Sequence, residues 1–205
     1  MKRYLAYIII AIVQLCVSVN ALARNHSEQP NYLNSIKATF LSWTSGSTKI
    51  SYERALPGIN QSSEISAGLI SAGYDKYRNN PVGFTMRYGH KFFLGSNKDE
   101  LTLKGFYFRP ELVYSYYHYN CTNTHKYGCR LSGERESAAM TAVLGTWGYQ
   151  YMFKRFLADL WVGAGYAGGR AADTGYHHGF QLWKYFGTTN KNIAISFSLR
   201  LGVCF

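Results

Sequence analysis

The sequence predicts an all-β protein, an antiparallel up-and-down transmembrane β-barrel of eight strands, and three observations predict it. In the last thirteen residues every odd position is apolar, while most even ones are small or polar. Tyrosine numbers 18 and aromatic residues reach 17%, although mean hydropathy is only −0.19. Beyond the amino terminus no stretch approaches the ~18 uninterrupted apolar residues of a membrane helix. Period-two alternation gives a strand one greasy and one polar face. Rings gathered at two bilayer interfaces explain an aromatic excess without high mean hydropathy.

The chain opens on Met1, Lys2 and Arg3, continues through an apolar run over 4–19 broken only by Gln14 and Ser18, and reaches small residues at Ala21 and Ala23. Basic, apolar and small residues in that order predict an export signal over 1–23, removed by cleavage. Leu15, not a small residue, precedes Cys16, so that cysteine is expected to leave with the signal rather than carry a lipid. A short periplasmic segment over 24–34 and a barrel over 35–205 follow. The mature chain keeps 20 of 22 basic and all 11 acidic residues, a net charge of +9. Export argues against nucleic acid as the partner of that charge and for the phosphate-rich face of a Gram-negative outer membrane, its lipid and lipopolysaccharide.

Eight alternating segments are expected at 35–42, 48–54, 63–71, 84–92, 106–116, 138–153, 156–166 and 193–205. In the fourth, Phe84, Met86 and Tyr88 alternate with Thr85, Arg87 and Gly89, and Lys91 stands opposite Phe92. In the fifth, Phe106, Phe108, Pro110, Leu112, Tyr114 and Tyr116 face out, and Tyr107, Arg109, Glu111, Val113 and Ser115 face in. Pro110 removes a ladder donor and predicts a bulge or register break. In the seventh, Leu160, Val162, Ala164 and Tyr166 oppose Asp159, Trp161, Gly163 and Gly165. The closing segment sets Ile193, Ile195, Phe197, Leu199, Leu201, Val203 and Phe205 against a face that includes Arg200 and an unpaired Cys204. An even count puts both ends on one side, and closure leaves no strand edge in hydrocarbon. With the amino end periplasmic, short turns fall at 56–61, 95–100 and 154–155. Outer loops fall at 43–47, 72–82, 117–136 and 168–191, and all but the first are long.

This register sends Glu53, Glu64, Arg87, Lys91, Arg109, Glu111, Asp159 and Arg200 into the lumen. An eight-stranded lumen is just wide enough for side chains to fill it, so mixed charges predict a paired polar plug rather than a conducting path. Cys121 and Cys129 share the third outer loop, where an oxidising compartment allows either a loop-closing disulfide or two free thiols. Intact mass with and without reductant separates the two. His118 and His125 flank that pair, and His177 and His178 fall in the fourth loop; none has the close spacing of a zinc site. They are expected as solvated loop residues, with no metal, cofactor or catalytic group. Ser132, His125 and Glu134 could be assembled into a nucleophile and base, a combination that loops of this composition contain by chance. The third loop, with Tyr117, His118, Tyr119, Lys126, Tyr127 and Arg130, is basic and aromatic, and Arg170, Tyr176, Phe180, Trp183, Lys184 and Tyr185 enrich the fourth. Candidate contacts for a surface glycan or protein ligand are therefore Tyr117, Tyr119, Lys126, Tyr127, Arg130 and Trp183.

Over nearly its whole mature length the chain resembles the small outer-membrane barrels of the OmpA membrane-domain and OmpX type. The most specific element is the terminal strand with Phe197, Leu199, Leu201, Val203 and Phe205 at alternate positions, which looks like the signal read by the outer-membrane assembly machinery. Ser51-Tyr52-Glu53-Arg54, Arg109-Pro110-Glu111-Leu112 and the 159–165 run share the same style. The likeness is to the bare barrel, without a peptidoglycan-binding domain, and it implies an outer-membrane location. It also admits a lipid A-modifying enzyme, although the His-x-Ser signature of the lipid A deacylase barrels is missing. The expected role is non-enzymatic, structural or in surface interaction. A secreted lipocalin-like barrel is the remaining alternative; it would need its apolar faces inward and Arg87, Arg109 and Arg200 outside.

Overall fold

The chain divides at Pro30. The computed structural model describes residues 32–40, 42–56, 59–71, 80–94, 103–120, 135–170, 176–185 and 188–205. The expected export signal, Cys121, Cys129, His125, Lys126, Tyr127, Arg130, Ser132 and Glu134 lie outside the described residues.

Among the described residues nine strands follow one another: β1 (Asn34–Thr39), β2 (Ser47–Leu56), β3 (Gln61–Ile70), β4 (Val82–Leu94), β5 (Gly105–Asn120), β6 (Arg135–Phe153), β7 (Phe156–Arg170), β8 (Gln181–Tyr185) and β9 (Thr188–Cys204). Each of the first six pairs antiparallel with the next, β7 pairs with β9, and β9 returns to β1, with Ser35 opposite Cys204 and Thr39 opposite Arg200. Eight strands therefore close a barrel wall. β8 falls within the outer loop expected at 168–191 and lies along the same edge of β9 as β1 does, further up, with Gln181 opposite Ile195.

Alternation decides the faces. In β5 every odd residue from Tyr107 to Tyr119 is buried, whereas even ones such as Leu112, at 50% exposure, are open. Around the outside stand Ile65, Leu69, Met86, Val143, Val162 and Phe197, an apolar skin that water would leave unsatisfied and hydrocarbon would not. Rings gather on it at two levels, as Phe106–Tyr149 and Phe108–Trp147 near the β4–β5 turn, and as Phe84 with Tyr114 and Tyr116 near the opposite end.

Four sequence expectations need correction. Pro110 makes no bulge, because Gly89 opposite Glu111 and Phe92 opposite Phe108 share one register; the ladder loses bonds locally without gaining a residue. The turn expected at 95–100 extends to Lys104, and its Leu103 is wholly buried under the barrel. Tyr117 and Tyr119 are not loop contacts. They continue the inward face of β5 at 3% and 2% exposure, because alternation persists to Asn120 and β6 already starts at Arg135. His177 and His178 are not solvated; both are buried.

The filled lumen as candidate functional site

The barrel interior has three layers. At the end where both termini of the barrel meet, Ala55, Phe93, Leu103, Tyr107, Met152, Leu157, Trp161 and Cys204 form an apolar floor, with Tyr32 and Leu33 packed against it. Above it lies an ionic lattice, and above that a second apolar layer.

The lattice contains all eight inward ionisable residues named from the sequence, each at most 7% exposed. Lys37, absent from that expectation, stands at its centre. Its Nζ donates to Glu53 Oε2 at 2.6 Å, to Asp159 Oδ2 at 3.1 Å and to Glu64. Lys91 Nζ reaches the same three carboxylates at 3.2, 2.9 and 3.2 Å and donates to Gln150 Oε1 at 2.5 Å. Glu64 also accepts from Arg109 at 2.6 Å and from Arg200. Glu111 joins Arg87 at 2.9 Å to Arg109 at 2.5 Å, and Tyr107 donates to Asp159 at 2.5 Å. Glu53 and Glu64 are direct neighbours across β2 and β3, a repulsive placement that the lysines from β1 and β4 convert into a bridge. The three guanidinium groups of Arg87, Arg109 and Arg200 surround the Trp161 ring at 4.7, 4.9 and 5.3 Å from its centroid, where they meet its negative faces. Gly89 makes room for this crossing, since a β-carbon there would meet Arg109 Cδ at 2.6 Å. Lys37 was legible in principle, because Ser35, Lys37 and Thr39 share one phase of alternation; Gln150 follows from the same count in β6.

The upper layer comes from the connection ahead of β8. Residues 176–180 turn tightly, with Gly179 N–H donating to His177 O at 2.7 Å and His177 N–H to Phe180 O at 2.9 Å. They enter the lumen rather than rise from it. Phe180, 2% exposed, packs with Val113, Met140, Ala142, Leu144, Ala167, Leu182 and Ala194. Tyr117 Oη lies 3.0 Å from His177 Nδ1. Gly179 approaches β5 so closely that a β-carbon would meet Val113 Cγ1 at 2.8 Å. Its carbonyl accepts from Arg87 Nη2 at 2.5 Å and Ser196 Oγ at 2.7 Å, tying the plug to the lattice. Of the candidate surface contacts within the described residues, Trp183 alone is exposed, at 43%.

Among the described residues an apolar floor, an ionic lattice and an upper apolar layer fill the lumen in turn. Planar-bilayer recordings of the folded protein are expected to show no large, steady conductance; porin-like currents would overturn the filled-lumen account.

An apolar exterior around an ionic, side-chain-filled interior defines the class: a closed eight-stranded transmembrane β-barrel. Among solved structures the chain is similar to the crystal structure of Neisserial surface protein A (NspA), with 10% sequence identity over 87% of this chain and 100% of that one and a TM-score of 0.41. No protein-family model and no curated protein matches it.

Proposed function

We propose that the chain is a non-enzymatic barrel of a Gram-negative outer membrane, exported by its 1–23 signal, with a structural or surface-interaction role exercised by its outer loops. The observation that carries this reading is the inversion of polarity: large apolar side chains outside, with Phe197 at 76% exposure, and Arg109 and Arg200 sealed inside at 0% and 1%. A secreted ligand-binding barrel requires the reverse. The lattice supports the non-enzymatic part, because Glu53, Glu64, Glu111 and Asp159 are each held by lysine or arginine and are not poised as a base toward an open site. In fractionated cells the protein is expected with the outer membrane and, unheated, as a fast-migrating compact band on a gel. Recovery as a detergent-free soluble protein would overturn the proposal.

The third loop is the place to test the surface role. Since Tyr117 and Tyr119 belong to the wall, the deletion that spares the barrel is 121–134, joined by a short turn between Asn120 and Arg135. This variant is expected to keep the heat-modifiable band and to change binding to glycans or protein ligands; loss of folding would make the loop structural.

A further inference from the structure

Among the described residues the ladder is interrupted on one side of the wall. β1 ends at Thr39, so β9 loses its neighbour above Arg200, save for a bond from Phe40 N–H to Leu199 O at 2.8 Å, until β8 takes up the edge at Ile195. On the other side of the gap β2 rises above its last pairing with β1, Ala38 opposite Ile50, toward the short 3-10 helix Ser42–Ser45. A cavity of about 470 Å³ occupies the place. Its lining comes from both faces of the wall: lipid-facing Phe40, Leu160, Phe197 and Leu199, and inward-facing Lys49, Ser66, Arg87, Ser196, Ser198 and Arg200. A cavity lined from both faces is a lateral passage into the wall.

Its electrostatics are one-sided. Among the described residues that line the cavity there is no carboxylate, while Lys49, Arg87 and Arg200 are present. Arg87 and Arg200 reach Glu111 and Glu64 behind it; for Lys49 the charges felt are those two arginines. Among the described inward residues six basic side chains, with Lys37, Lys91 and Arg109 added to these three, face four carboxylates. A half-enclosed positive excess ringed with hydroxyls calls for an anion with several acceptor oxygens. A rim of Phe40, Leu160, Phe197 and Leu199 calls for acyl chains.

We propose that this lateral passage binds the phosphate headgroup of a membrane lipid, which enters between β1 and β8 from the bilayer, sets its phosphate against Lys49 and the cavity hydroxyls, and leaves its acyl chains along the outer rim. The inference rests on the transmembrane reading, but its test does not require a membrane. The mature barrel in a maltoside detergent is titrated calorimetrically with dihexanoyl phosphatidic acid, dihexanoyl phosphatidylcholine and inorganic phosphate, and its fold is checked by the compact unheated band. The expected result is saturable binding of the phosphatidic acid, at least tenfold tighter than either of the others. Lys49→Gln is expected to weaken it about tenfold by removing the charge, and Ser198→Leu to do so by filling the cavity with the charges intact. Equal binding of inorganic phosphate would make this a free-anion site. Equal binding of phosphatidylcholine, or affinities untouched by both variants, would overturn the proposal outright. A barrel that binds phosphatidic acid yet fractionates as soluble would sink the membrane reading alone.

Discussion

Replacing Glu64 by Gln is expected to cost the barrel about 3–5 kcal/mol, the range for removing one partner of a buried ion pair. Glu64 is 3% exposed and its two oxygens receive Lys37, Lys91, Arg109 and Arg200. A glutamine keeps the shape and one acceptor oxygen but leaves those four cations with three carboxylates among them, Glu53, Glu111 and Asp159, in a space closed by apolar layers above and below. The measurement is the urea midpoint of the barrel refolded into lipid vesicles. The second half of the test is coupling. Adding Lys37→Met to Glu64→Gln removes one of the stranded charges, so the double variant is expected to recover at least about 1 kcal/mol relative to the sum of the single losses. A loss below about 1 kcal/mol for Glu64→Gln, or strict additivity, would mean that water reaches the lattice and screens it.

The same residue shows what could be read in advance. Glu64 falls inward because alternation in β3 is unbroken, and a one-residue slip would turn every side chain to the other face; the polarity of the wall was therefore written locally, strand by strand. Lys37 obeyed the same rule but sits in β1, only six residues long, where the pattern is too short to stand out. Pro110 looked like an irregularity and is none, since a proline lacks only its own donor, and the ladder to β6 continues with Pro110 opposite Gly145. The connection before β8 could not be read in this way. His177, His178 and Phe180 carry loop composition, and their burial depends on an empty upper lumen lined by Val113, Ala142, Ala167 and Ala194 from three other strands and β9's own face. Small side chains at those positions create the space that Phe180 fills, a relation between distant residues that no period along the chain reports. The passage beside β1 is of the same kind, a consequence of one strand being shorter than its two neighbours.

Replacing Leu112 by Arg is expected to cost about 2–4 kcal/mol in vesicles, the magnitude for a guanidinium on the lipid face at the bilayer midplane. Leu112 lies at the middle of the 16-residue β5 and is flanked in register by outward-facing Tyr88 and Val143 at 54% and 60% exposure, so the new charge finds hydrocarbon on each side. The identical change at Phe106, near the beginning of β5 and 64% exposed, meets the interface, where the cost falls to about 0–1 kcal/mol. Both side chains are at least half exposed, Leu112 at 50% and Phe106 at 64%, so burial within the protein predicts small losses at both; depth in a bilayer is what makes Leu112 costly. In water both positions would be ordinary surface, where substitutions stay within about 0.5 kcal/mol. Urea titrations of the two variants in vesicles therefore measure the solvent of the outer wall. Equal, small losses at Leu112 and Phe106 would mean that this apolar skin does not face lipid.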